Sequence, residues 1–163
     1  LYLLQTRDMI TIKKKEHLNV FVESPTLEDS HLGKGVGVSG SALSGRAVFT
    51  EDNIRKLRQT DPATPLILIR QDTVPEDIKA VSQADGLLTS RGGQTSHASV
   101  VAVRLEKTCV VGCRSLKVYE AEQYCEIAGV KIVFGDPISI DGRNGQVLNG
   151  AHSIVEEYHI LPI

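Results

Sequence analysis

Between Pro65 and Arg70 stand four apolar residues in a row, Leu66-Ile67-Leu68-Ile69. A run this short and continuous reads as a strand buried in a core. Beyond it, helix and strand signals alternate. Thr73-Val74-Pro75-Glu76 has capping-box spacing, with Thr73 at the N-cap and Glu76 at N3, and predicts a helix to about Gln83 with Ile78 and Val81 turned inward. Ala84-Asp85-Gly86 turns the chain back, and Gly86-Leu87-Leu88-Thr89 is a second strand. Ala98 to Leu105 is a second helix, burying Val101 and Leu105, and Thr108-Cys109-Val110-Val111 is a third strand. Strand, helix, strand, helix, strand implies an α/β fold: a small parallel or mixed sheet with helices against it.

The flanking sequence has a different texture. Gly33 to Gly45 is rich in small residues and leads into a strand at 46–49, and Asn53 to Arg58 reads as a short helix. Beyond Lys117, residues 130–134, 137–140 and 146–148 read as short strands separated by the turns Gly135-Asp136 and Asp141 to Gly145. Together with the β-forming residues 35–49 these are expected to make a second β layer on the same core, since neither layer alone has enough sequence to bury one. Residues 13–34 are charged and irregular, with Lys13-Lys14-Lys15 and Pro25, and read as a surface connection. Leu1 to Arg7 reads as an apolar strand cut from a longer polypeptide.

Composition excludes several functions. A net charge of -2 gives no electrostatic case for nucleic acid or an anionic membrane surface. No apolar stretch approaches the length of a membrane span. With no Trp, 3 Phe and 4 Tyr, the chain lacks the rings that a base-stacking platform needs. Three Cys, an odd number, argue against a disulfide framework and suit a reducing cytoplasm.

Chemistry concentrates in Arg91-Gly92-Gly93-Gln94-Thr95-Ser96-His97-Ala98. The loop follows a strand and opens a helix, so unpaired backbone N–H groups and the positive helix end lie near the imidazole and make a phosphate site. Glycines let the backbone take positive φ and approach an anion. The same dipole disfavours protonation of a first-turn histidine, by roughly 0.3–1 kcal/mol, and keeps it nucleophilic. From the residues alone, His97 is either an anion-binding nucleophile or a surface or helix-capping side chain. The loop is no Walker A motif, because the GxxxxGK[ST] spacing is missing.

The stretch from Thr89 to Ala102 closely resembles the phosphohistidine motif of the PEP-utilising enzymes, in its pyruvate, phosphate dikinase version. Pro75-Glu76-Asp77-Ile78 and Lys107 to Cys113 are similar to the segments flanking that motif. Gly135 to Gly142 with Gly145-Gln146-Val147 resembles the family's closing hairpins, and Gly40 to Phe49 its opening stretch. The likeness runs in order over most of residues 35–150. It implies a swivelling β/β/α domain that shuttles phosphate from an ATP-grasp site to a pyruvate/PEP-binding barrel. By this resemblance residues 1–12 are the tail of a nucleotide-binding ATP-grasp domain, with Gln5 and Arg7 remaining from its nucleotide site. Residues 13–34 and 151–163 are then linkers to that domain and to the barrel. His97 falls on the catalytic histidine, and Thr95 on a regulatory phosphorylation site. No cofactor is expected within the domain itself; ATP and Mg2+ are implied for the longer protein, which is expected to be a homodimer. Departures stand at Gln94, where Met is usual, at Val103 before Arg104, and at Glu106, where Gly is common.

Other residues have plainer readings. Arg91 can screen the oxygens of a bound phosphoryl group, with Gly92, Gly93 and Ser96 supplying amides and a hydroxyl, or it can be a solvated charge. Ser96 or Thr95 is expected at the N-cap. Cys109 and Cys113 read as buried thiols, Asp136 and Asp141 as turn residues, and His31, His152 and His159 as uninvolved in catalysis. Two further functions fit the resemblance less closely: the same domain of a PEP synthase, with water as second acceptor, and a non-catalytic interaction domain that has kept the fold.

Overall fold

The computed structural model describes residues 15–160. The expected ATP-grasp tail, with Gln5 and Arg7, lies outside them. The elements begin with β1 (Lys15–Phe21), α1 (Pro25–Asp29), β2 (His31–Lys34), β3 (Val36–Ser39), β4 (Ala42–Val48) and α2 (Glu51–Thr60). Next come β5 (Leu66–Arg70), a 3-10 turn at Pro75–Asp77, α3 (Ile78–Gln83), β6 (Gly86–Thr89), α4 (His97–Arg104) and β7 (Thr108–Val111). The chain continues through β8 (Lys117–Tyr119), β9 (Tyr124–Ile127), β10 (Val130–Val133), β11 (Pro137–Asp141), β12 (Gln146–Asn149) and β13 (Ile154–Ile160).

Four parallel strands, β4 to β7, form the centre of an eight-stranded mixed sheet of order β2-β12-β11-β4-β5-β6-β7-β3. Side chains alternate across it, as strand geometry requires. Ile67, Ile69, Leu88 and Val110 face an interior completed by Ile138, Ile140, Val147, Ile127 and Ile132. Leu66, Leu68, Leu87, Cys109 and Val111 face the other way, onto Ile54 and Leu57 of α2, Ala80 and Val81 of α3, and Ala98, Val101 and Ala102 of α4. Both faces are dry, which is why the 66–69 run is continuous rather than alternating. Burying each such side chain contributes roughly 1.5–3 kcal/mol.

The sheet closes on itself. Strands β2 and β3 lie at its opposite edges, yet only Gly35 separates them in the chain. Gly35 N–H donates to the Gly145 carbonyl at 2.8 Å, and a Cβ there would sit 2.5 Å from the Val111 carbonyl oxygen. Closure removes the open edges that an eight-stranded sheet would otherwise expose.

Several expectations change. A second β layer exists, but it is the meander β10-β9-β8, and of the segments assigned to it only β10 belongs there. Strands β4, β11 and β12 sit in the main sheet: β4 has β5 on one side and needs a partner on the other, and Pro137–Asp141 supplies it, Ile138 opposite Gly45 and Ile140 opposite Leu43. Residues 15–34 are not irregular. Lys15–Phe21 pairs antiparallel with Ile154–Ile160, a partner that local charge could not reveal. Ser24 caps α1, and β2 forms a sheet edge. Thr73 is not an N-cap. Pro75 holds Val74 extended, at φ -117 and ψ 164, and the turn begins on the proline instead. Ile78 consequently lies 50% exposed, whereas Val81 is buried as expected.

All three cysteines are free and buried. Burial pushes the Cys109 and Cys125 thiols up from 9.0 to about 12. In the unfolded chain they ionise near 9.0, so between that pH and about 12 the folded chain holds more protons and stability falls as pH rises. The slope is about 1.4 kcal/mol per pH unit for each thiol. Urea midpoints should therefore be flat up to the ordinary thiol range and drop beyond it, and a Cys109→Ala variant should show a shallower drop. Gly35→Ala should cost about 1–3 kcal/mol at neutral pH; an unchanged midpoint would mean the two sheet edges are not in contact.

Candidate active site

The loops at the carboxyl ends of β5 and β6 meet, as they do wherever parallel neighbours feed helices on the same face. The β6–α4 loop is pinned at its start: Ser90 and Arg91 N–H donate to the Arg70 and Gln71 carbonyls at 3.3 and 3.0 Å. The Arg91 carbonyl accepts from Thr89 Oγ1 at 2.7 Å and from Gly112 N–H at 3.2 Å. With its backbone fixed on both sides, Arg91 leaves its side chain exposed.

Ser96 is the N-cap of α4. Its Oγ accepts from Ser99 N–H at 3.3 Å, and the Ser99 hydroxyl, fully buried, donates to the Gly93 carbonyl at 2.5 Å. The Gly93 carbonyl also accepts from Ser96 N–H at 3.0 Å, so the loop folds back onto its own helix start. The two expected glycines differ. Gly92 has φ +100 and a Cβ would meet Ser96 Oγ at 2.9 Å, so a side chain is excluded there. Gly93 has an ordinary φ and open space around it. Its part is to accept through its carbonyl, which any residue provides.

His97 is the first residue of α4 and is exposed. Its Nδ1 lies 3.3 Å from Thr73 Oγ1. The threonine side chain is only 7% exposed, so the contact is shielded on the Thr73 side. Nε2 is left as the open ring nitrogen. The His97 and Ala98 amides at the helix start have no acceptor among the described residues, and with the helix dipole they are donors of the kind that can hold an anion.

The structure thus brings together His97, Ser96, Gly92 and Gly93, with the Arg91 backbone behind them, and sets Thr95 exposed on the loop outside the capping network. Sequence reasoning missed Thr73, having used it as a cap. The signal was its position: it follows a strand adjacent to the His97 strand, at the same sheet end. Asp136 and Asp141 act as turn residues, their carboxylates accepting from Val133 and Arg143 N–H at 2.9 Å. His152 packs edge-on against Phe21, away from this loop. Among the described residues, no group of three or more His, Cys, Asp or Glu is placed to hold a metal ion. Nor is any helix among them long and apolar enough to cross a membrane.

Residues 62–145 match the family described as "PEP-utilising enzyme, mobile domain". Relatives named pyruvate, phosphate dikinase include one from Rhizobium meliloti, 40% identical over 119 residues, which is 73% of this chain and 13% of the relative. One from Giardia intestinalis is 39% identical over 132 residues, 81% of this chain and 15% of the relative. Pyruvate, phosphate dikinase 2 of Oryza sativa subsp. japonica is 35% identical over 153 residues, 91% of this chain and 17% of the relative. The chain therefore spans a small fraction of the relatives it matches.

The two hydroxyls before the histidine are separable by stability. Ser96→Ala should cost about 1 kcal/mol, within the range for a lost N-cap, while Thr95→Ala should stay within about 0.5 kcal/mol of the parent chain. Equal effects in chemical denaturation would remove Ser96 from the capping role.

Proposed function

Because this chain belongs to the family of PEP-utilising enzyme mobile domains, we propose that it is the phosphoryl-carrier domain of a pyruvate, phosphate dikinase-like phosphotransferase, with His97 as the carrier. The observation that carries the reading is the Thr73 Oγ1–His97 Nδ1 contact of 3.3 Å at an exposed helix start. With the ring hydrogen on Nδ1 donated to Thr73, Nε2 keeps its lone pair and faces outward. In the transfer, that lone pair forms the N–P bond as the P–O bond to the donor breaks and its electrons leave on oxygen. Passing the group on reverses the roles, the acceptor oxygen attacking phosphorus and Nε2 leaving.

The helix-start amides would hold the equatorial oxygens, and the Arg91 guanidinium would screen them from an exposed position. Val74 beside Thr73 and Val100 one turn after His97 are exposed apolar residues, which suits a surface covered in turn by donor and acceptor domains. We assign those domains, in the longer protein, to an ATP-grasp module and a pyruvate/PEP barrel, and that protein to a homodimer in the cytoplasm. ATP and Mg2+ belong to that protein. The dikinase names of the relatives favour phosphate over water as second acceptor, and so a dikinase over a PEP synthase. Thr95, two residues before His97, is exposed, which supports reading it as a regulatory phosphorylation site.

Incubated with a separately supplied ATP-grasp domain and ATP, the chain should gain one phosphoryl group that is stable in base and labile in acid. Peptide mass analysis should place it on His97, and His97→Asn should abolish it. By itself the chain should consume neither ATP nor pyruvate. Phosphate that persists in His97→Asn, or acid-stable phosphate on Ser96, would sink the assignment and leave an interaction domain as the better reading.

A further inference from the structure

We propose that Arg70 is a positioning residue that sets the tautomer of His97 through the loop carrying Thr73. The inference rests on the carrier reading only for its consequence in phosphoryl transfer. Strand β5 ends on Arg70, whose side chain is 17% exposed. Its Nη1 lies 3.4 Å from Asp77 Oδ1 and 3.3 Å from Glu120 Oε2. Each carboxylate directs its other oxygen at a loop amide. Asp77 Oδ2 accepts from Val74 N–H at 2.9 Å, and Glu120 Oε1 accepts from Gln71 N–H at 3.3 Å. One guanidinium thereby grips the loop on both sides of Thr73. Between those grips, Asp72 Oδ1 takes the Thr73 N–H at 2.8 Å. With its amide taken, Thr73 turns its hydroxyl to the His97 ring.

Stability does not account for this arrangement. Arg70 Nε is buried with no acceptor, and an unsatisfied buried donor costs about 1–3 kcal/mol. Part-buried ion pairs are also a poor source of net stability beside apolar packing. A shared guanidinium does give geometry. It ties the 3-10 turn and the β8–β9 hairpin to the end of β5, so that the loop between them has one conformation. A hydroxyl can donate as well as accept; in this proposal, one held still accepts from Nδ1–H and favours that tautomer, whereas a mobile loop would let the ring sample both. Orientation of one ring nitrogen by a partner on the other is the usual way a histidine's reactive atom is fixed.

Long-range 1H–15N NMR spectra of the 163-residue chain, recorded above the pH at which the ring titrates, read which nitrogen of His97 carries the hydrogen. They require no phosphoryl donor. The wild-type chain should show Nδ1–H in the majority. In Arg70→Gln that form should lose its majority, with Arg70→Lys recovering most of it and Thr73→Val giving the fully released spectrum. Glu120→Gln, on a half-exposed hairpin, should shift the ratio in the same direction but less, and it decides the matter if Arg70→Gln fails to fold. An Arg70→Gln chain with a native amide spectrum and an unchanged tautomer ratio overturns the proposal. So does a wild-type majority of Nε2–H, or a Thr73→Val chain indistinguishable from wild type. The carrier reading fails by a different result, phosphate that survives removal of His97.

Discussion

The parallel strands β4 to β7 are buried on both faces, and this constraint organises everything else in the molecule. Helices must cover one side, and α2, α3 and α4 do so with Ile54, Leu57, Val81 and Val101. The other side needs an equal apolar surface, and the remaining helix among the described residues, α1, buries no side chain and does not supply it. The sheet itself supplies it by curling until β2 and β3 meet at Gly35, with the β8–β10 meander packed inside the remaining space through Cys125, Ile127 and Ile132. Closure depends on contacts too close for any side chain at Gly35 and Gly37.

That architecture also decides where chemistry can occur. Because β4 to β7 run parallel, every loop from one of these strands into its helix leaves from the same end of the sheet. The loops after β5 and β6 are therefore neighbours before either has any functional residue. Ser96 fixes the start of α4, Gly92 lets the chain turn tightly against Ser96, and Thr73 reaches across from the adjacent loop. The apolar core provides rigidity, and the His97 ring stays at the surface. The proposed carrier role needs that combination: a nucleophile held still relative to its own domain and yet reachable by others.

The ends of the described chain follow a separate logic. Lys15–Phe21 and Ile154–Ile160 pair only with each other as a two-stranded ribbon. The ribbon meets the main domain through Phe21 and Ile154, packed with Ala42 and Leu148 in a small third cluster, and through Asn19 N–H, which donates to Ser41 Oγ at 3.2 Å. Their antiparallel register sets Lys15 opposite Ile160, so both ends of the described chain lie at the same end of one ribbon.

Local sequence determined the strand-helix-strand-helix-strand succession of residues 66–111, because an apolar run bounded by Pro65 and Arg70 has few other fates. It also determined that Arg91–Ala98 is a polar loop opening a helix, because a glycine, a capping serine and a histidine at a helix start keep that local geometry wherever the helix lies. The partners were decided by the tertiary structure alone. Whether Pro137–Asp141 joined β4 or a separate layer depended on which edge was open. Whether residues 15–21 were strand or tether depended on a segment more than a hundred residues away. Thr73 looked like a helix cap because its spacing to Glu76 is correct, and Pro75 overruled that by holding Val74 extended. Its place against His97 comes from two loops lying side by side, a relation between strands that no local window contains.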